Sequence, residues 1–456
     1  MTSQRKVFYG WWILASGFVV VALLSATTSY GTALFLVPLT QEFGWSRTAI
    51  ATALALARLE TGIAGPLEGV MADRWGPRRV MLIGIPLATA GYLLWSQISS
   101  LSSLSGIDVL LVFYFAYVGW VAVGAGLGSS PVNVAVANWF VRRRGLALGI
   151  VSSGHGLGAA IWVPALGFVI QAHGWQWALV AQGLGILVIG LPAALVMRHR
   201  PEQYGLRPDG DPPTSPESRV QSPESEAVRR TPNSRLRNQG HTASAEGNVV
   251  RPGGGVGTRD SGPGTQDYTI GQAVGTSAFW CLAFAFAFRV MVTNAVQVHL
   301  AALLQDLGLS PLAAAGWLGT LSALSIVGRF GMGWLGDIFE ARRVYMAALV
   351  LMVLGMLVLA RAEEAWYIVP FLALYAPAYG GLAALPSALR ADFFGRRAFG
   401  TISGVMGPVT TAGTMIGPLF AGYVFDTTGT YRQALLAFAL CGLVSLGLMA
   451  LAKRPR

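Results

Sequence analysis

The chain has 456 residues, 54% of them hydrophobic and 12% charged, with a formal charge of +11 and a mean hydropathy of +0.55. Soluble proteins carry roughly 25% charged residues, so this chain has too little polar surface for a water-soluble globule and reads as a polytopic membrane protein. The basic excess lies in turns between apolar runs, which assigns it to orientation in a bilayer rather than to nucleic acid; the two cysteines, Cys281 and Cys441, lie inside apolar runs and suggest neither a disulfide framework nor a metal site.

From the N-terminus, Arg5 and Lys6 precede an apolar run that continues beyond signal-peptide length and is expected to be retained as the first spanning helix. Runs of spanning length fall at 7–39, 46–72, 80–99, 109–137, 145–170 and 175–197. From 198 to 267 the chain is rich in Pro, Gly, Ser and Arg and has no apolar periodicity, which predicts a disordered linker. Apolar runs resume at 279–304, 311–335, 344–360, 366–389, 401–423 and 434–451. The expectation is an all-α membrane protein of twelve transmembrane helices: a six-helix bundle over 1–197, a cytoplasmic linker over 198–267 and a second six-helix bundle over 268–456.

Two boxes expose an internal duplication. Gly65–Arg79, GPLEGVMADRWGPRR, is echoed by Gly328–Arg343, GRFGMGWLGDIFEARR, with Gly333, Asp337, Arg342 and Arg343 in matching places. NWFVRRRG at Asn138–Gly145 is likewise echoed by DFFGRRAFG at Asp392–Gly400. Copies about 260 residues apart, each between spanning runs, make the two pseudo-repeats parallel. Arg5, Arg74, Arg78, Arg79, Arg142–Arg144, the linker arginines, Arg342, Arg343 and Lys453 all fall on one side, while the alternate turns hold little beyond Arg47, Arg361 and Arg432. The positive-inside rule then places both termini and the linker in the cytoplasm.

The Gly69-x-x-x-Asp73-Arg74-x-Gly76-x-Arg78-Arg79 box resembles the signature loop between helices two and three of the major facilitator superfamily, and its weaker copy stands where that family has one. Narrower features resemble the monocarboxylate transporter and oxalate–formate antiporter branch: Phe8-Tyr9-Gly10-Trp11-Trp12 at the start, Trp139–Gly149 leading into a glycine-rich fifth helix, and Arg329 before a Gly-Met-Gly segment. The resemblance implies the major facilitator fold, and at Arg329 the arginine that binds a substrate carboxylate. Three departures stand out. Helix eleven lacks the lysine of oxalate antiporters, helix one lacks the lysine of animal monocarboxylate carriers, and Ser129 and Ser130 precede Pro131 where relatives often have an aromatic.

Charge inside a bilayer is retained only where it faces a cavity or a partner. Arg329 lies roughly 12 Å along its helix from Asp337, and His155 roughly 15 Å from Gly145. Arg289, Arg58 and Glu60 fall near the middle of helices seven and two. Arg329 and Arg289 are candidate anion contacts, since a guanidinium fork matches a carboxylate in two parallel hydrogen bonds. Tyr375 and Tyr379, one turn apart and so on one face, and Asn133 are further substrate contacts. Glu60, His155 and Arg58 are candidates for proton coupling. Asp73, Arg74, Arg78, Arg79, Asp337 and Arg342 are read as gate residues, whose contacts form when the cytoplasmic side closes and break when it opens.

No G-x-x-x-x-G-K-[ST] phosphate loop and no metal spacing occurs, so no enzyme activity and no cofactor are expected. The expected function is secondary transport of a small organic anion in the inner or plasma membrane, with a lactate- or pyruvate-like monocarboxylate moved in symport with a proton by a monomer. Alternatives are organic anion exchange of the oxalate–formate kind and a transporter-like membrane sensor with the linker as its output.

Overall fold

The computed structural model describes residues 8–210, 268–395 and 399–454. The larger part of the expected linker, 211–267, lies outside the described residues, as do Arg396 and Arg397.

Twelve helical crossings follow one another: α1 (10–43), α2 (Arg47–Trp75), α3 (Pro77–Ser96), α4 (Val109–Trp139), α5 (Arg144–His173), α6 (Trp175–Val196), α7 (Ser277–Asp306), α8 (Pro311–Ile338), α9 (Ala341–Ala360), α10 (Ile368–Phe394), α11 (Phe399–Thr428) and α12 (Arg432–Leu451). Among the described residues nine of these are long and apolar enough to cross a membrane by length and composition alone. α2 is diluted by Arg58, Glu60, Glu68 and Asp73. α1 is broken: an α-helix over Gly10–Ser25 loosens to a π turn over Ala26–Tyr30, tightens to a 3-10 turn over Gly31–Phe35, and resumes over Leu36–Phe43.

Side chains at the helix starts take up backbone donors left over there. Ser46 accepts from Ala49 N–H, Thr276 from Phe279 N–H, and Ser310 from Ala313 N–H ahead of Pro311. The tight turn from α2 to α3 needs Gly76 at φ +83°, with Pro77 opening α3.

Both halves pack alike. α1 lies on α5 as α7 lies on α11, and α3 lies on α4 and α6 as α9 lies on α10 and α12. Small residues let backbones touch. A Cβ at Gly158 would fall 2.1 Å from Ala22 O, and one at Gly417 would fall 2.1 Å from Met291 O; Gly154 and Gly413, one turn earlier, press on Phe18 O and Ala287 O in the same way. The duplication seen in the charged boxes is therefore repeated in the packing.

The halves meet along two seams, α5 against α8 and α2 against α11. At the face away from the termini these seams are shut. A Cβ at Gly422 would fall 2.9 Å from Thr48 N, and one at Gly167 would fall 2.4 Å from the Ala315 Cβ. Toward the face that carries the termini, α2 and α11 part, and Gly65, Gly69, Gly404 and Gly407 have open space where a Cβ would be. The molecule is closed on the far face and open on the terminal face.

On the terminal face the aromatic openings of two segments form a collar. Phe8 stacks near Trp139 and Phe140 at 5.8 and 5.7 Å, Tyr9 near Trp139 at 5.5 Å and Trp11 near Phe140 at 5.5 Å. Residues 198–210 lie under this collar. Trp139 Nε1 donates to Arg198 O (3.1 Å), and the Arg198 guanidinium sits over the rings of Tyr9 and Tyr204 at 3.9 and 4.2 Å. Asp209 accepts from the N–H groups of Val141 (3.1 Å) and Arg142 (2.8 Å). Burial would raise the Asp209 carboxyl, but these backbone donors and that of Arg143, with the Arg142 guanidinium, outweigh it and hold its pKa below the usual range.

Candidate functional site

A cavity of about 790 Å³ lies between the halves and opens to the terminal face. Its walls come from seven helices, α1, α2 and α5 of one half and α7, α8, α10 and α11 of the other. The break in α1 swings Tyr30 inward, where its hydroxyl meets Tyr379 of α10 at 3.0 Å, a hydrogen bond that joins the two halves. Arg58 and Thr61 of α2, with Ser152 and His155 of α5, line the N-terminal side. Asn294 and Gln297 of α7, Arg329 of α8 and Thr411 of α11 line the other side.

Among the described residues no Asp or Glu lines the cavity, whereas two arginines and a histidine do. The cavity is therefore electropositive. Arg329 is half-buried, its Nε has no hydrogen-bond partner, and it makes no ion pair with a described residue. His155 donates from Nδ1 to Ser152 O at 3.1 Å, which leaves Nε2 turned away from its own helix.

Of the residues singled out in the sequence, the structure brings Arg329, Tyr379, Arg58 and His155 together in this cavity. Arg289 is elsewhere: it lies inside the C-terminal half beside Tyr345 of α9. Tyr375 is fully buried, stacked between Phe371 (4.9 Å) and Tyr379 (6.0 Å), with an unpaired hydroxyl. Asn133 is exposed on α4 and does not line the cavity. Glu60 is half-buried beside the cavity wall; Thr61 Oγ1 donates to its Oε2 at 3.4 Å and its Oε1 has no partner. Asp73, Arg74, Arg78 and Arg79 are all exposed on the open face, with no ion pair among them. The Asp337 side chain lies outside the described residues. Arg342 donates to Met449 O (3.0 Å) and Ala450 O (2.5 Å), so it caps the end of α12.

The polar contacts that close the far face were not singled out in the sequence. Arg47 grips Asp306 of α7 with two hydrogen bonds of 2.7 Å, donates to Tyr431 Oη at 2.6 Å, and lies 3.5 Å from the centre of the Phe425 ring. Asp426 of α11 accepts from the N–H groups of Arg47 and Thr48, both at 2.9 Å, and from Thr48 Oγ1 at 2.5 Å. Behind them, His299 donates from Nε2 to Pro418 O (2.9 Å) and accepts at Nδ1 from Tyr431 Oη (2.9 Å). With Tyr431 also accepting from Arg47, its own hydrogen is free to point at Nδ1. The only sequence signal was an arginine standing in an otherwise base-poor set of turns.

Two parallel-repeat helical halves, shut at one face around a basic cavity that opens at the other, are the build of a membrane transporter rather than of an enzyme. The chain belongs to the major facilitator superfamily: the family model of that description matches residues 18–331 and 279–456. It is a multi-pass membrane protein. Mouse monocarboxylate transporter 12 is 26% identical over 98% of this chain and 87% of its own length. The oxalate:formate antiporter of Oxalobacter formigenes is 28% identical over 45% of this chain and 47% of its own. Among solved structures, a bacterial homolog of the human lysosomal transporter Spinster matches 98% of this chain and 97% of its own with a TM-score of 0.69 at 16% identity, a likeness of fold alone.

Proposed function

We propose that the protein is a proton-coupled symporter of a small monocarboxylate of the lactate or pyruvate kind, working by alternating access as a monomer in the inner or plasma membrane with its termini in the cytoplasm. The observation that carries this reading is the Arg329 guanidinium, half-buried in a cavity lined by no described acid and forming no ion pair with a described carboxylate. A guanidinium in that setting is stabilised by an anion that arrives with the substrate. Tyr30, Tyr379 and Asn294 supply neutral donors around it. Similarity to monocarboxylate transporters over nearly the whole chain supports the same cargo class. His155 faces the cavity and Glu60 stands beside it, and they are the proposed proton carriers of the set that includes Arg58. Asp73 and its neighbouring arginines, exposed on the open face, are proposed to meet when that face closes.

A second reading is favoured by one observation: Arg58 and Arg329 line the same cavity, so a dicarboxylate could bridge them and be exchanged rather than co-transported. Arg289, set away from the cavity, has no part in such a grip.

Uptake of labelled lactate, pyruvate, formate and oxalate into proteoliposomes tests both readings. Removing one partner of a desolvated charge pair costs about 2–5 kcal/mol, so Arg329→Ala should cut gradient-driven lactate or pyruvate uptake by on the order of 100-fold. Uptake that occurs only against preloaded anion, moves oxalate and is lost in both Arg58→Ala and Arg329→Ala would favour exchange. Movement of no carboxylate at all would reject both.

A further inference from the structure

A buried acid stands apart from every role assigned above. Glu68, on α2, is 2% exposed. Its Oε2 lies 2.5 Å from Ser130 Oγ of α4, and its Oε1 has no hydrogen-bond partner. The carboxyl is pressed against Gly126 so closely that a Cβ there would fall 2.1 Å from Oε1. No cation among the described residues pairs with it. A carboxyl buried in that way, with one oxygen unsatisfied and no cation beside it, is held out of water at a cost and is retained for a reason.

The site also has a route to water. Gly126 and Ser130 line a polar side cavity of about 210 Å³ between α1, α2, α4 and α5. That cavity shares Arg58, Thr61 and His155 with the central one.

We infer that the Glu68–Ser130 pair is a proton-binding site of the transport cycle. This rests on the proton-coupled reading and names a site within it. Protonation moves one proton from a hydronium ion in the cavity to Oε2 and leaves a water; the new O–H donates to Ser130 Oγ, whose own hydrogen turns to the side cavity, and release reverses both steps. No other bond changes. The ionisable groups facing the site are few. On α2 itself Glu60 stands two turns away and Asp73 and Arg74 at the exposed end; Arg58 and His155 lie across the side cavity with Tyr117; α3 brings Arg78 and Arg79 only in its first turn; the face of α11 along α2 carries none from Thr401 to Phe420.

The test uses the full-length protein in liposomes, in two arms. In the first, infrared difference spectra are taken on a pH jump with no substrate present. The inference requires a protonated-carboxyl C=O band that titrates in the wild type and disappears in Glu68→Gln; a band unchanged by that substitution overturns it. In the second, Glu68→Gln should lose lactate accumulation driven by a pH gradient while keeping lactate counterflow, since the amide mimics the permanently protonated acid. Accumulation equal to wild type, or loss of counterflow along with it, overturns the inference. Should Glu68→Gln fail to reconstitute, Ser130→Ala decides, because it keeps the acid and must shift the midpoint of the band; an unmoved midpoint overturns the site. If the wild type moves no lactate, the cargo reading has failed, and the infrared arm still judges Glu68.

Discussion

Arg329 and Arg289 lie on consecutive helices, each an arginine in apolar sequence, yet one faces the cavity and the other is turned into its own half. Counting along a helix gives depth, and both depths were legible. The direction a side chain faces was not, because these helices are apolar almost all round and carry no polar stripe to set their phase. Tyr375 and Tyr379 show the same limit: they share one face, but only Tyr379 reaches the cavity while Tyr375 stacks behind it. The difference is testable. Tyr375→Phe removes a buried hydroxyl with no partner, so transport should be unchanged and thermal stability equal or higher by up to about 1 kcal/mol. Tyr379→Phe breaks the bond to Tyr30 and should lower apparent affinity several-fold, for a loss of about 1 kcal/mol. A titration of uptake rate against lactate concentration, beside a melting curve, reads both. Tyr30 itself went unnoticed, although its signal was present: Thr27-Thr28-Ser29-Tyr30 is a hydroxyl run inside an apolar helix, and polar groups at that depth are retained for a reason.

At the scale of elements, the twelve crossings and their duplication were plain in the sequence, because run length and charged boxes report them directly. The break in α1 was not, since no proline stands at it and the nearest, Pro38, lies beyond. Nor was the role of the aromatic openings, which form a collar around the terminal end of the N-half instead of touching the cavity. The segment 198–210, read as the start of the linker, is fastened there through Arg198 and Asp209. Its attachment has a pH signature. The folded-state pKa of Asp209 is lowered, so the stability it contributes is fully present above the ordinary carboxylate range and is lost as pH falls through the depressed value. Limited chymotrypsin digestion after Tyr204 should therefore be slow in the wild type at neutral pH, while Asp209→Asn, whose side chain cannot ionise, should be cleaved rapidly at the same pH without change in helix content. Equal cleavage of variant and wild type would mean that the segment is held by other contacts.

For the whole molecule, a polar latch on the shut far face ties α2 to α7 and α11 through Arg47, Asp306 and Asp426. Breaking a buried pair costs about 3–5 kcal/mol. Asp306 is 37% exposed, and hydration of the freed carboxylate should reduce that to on the order of 1–3 kcal/mol. Each 1.4 kcal/mol shifts the balance between the two states about tenfold. Arg47→Ala should accordingly populate the state open at the far face. Spin labels at Val70 and Val405, both exposed on the terminal side, would then show shorter distances than in the wild type; unchanged distances would mean the latch does not hold the balance. None of its partners neighbours another in sequence, so pairing across more than 250 residues left no local pattern to read.

The size of the central cavity carries its own consequence. At roughly 30 Å³ of liquid per water molecule, about 790 Å³ holds on the order of two dozen waters. A three-carbon acid displaces only a few of them. On the proposed cycle, closing the terminal face would expel much of the rest, so drying this chamber would count among the costs of each turn. Cargo would be distinguished less by filling the space than by how completely its charge and apolar end let the last waters leave.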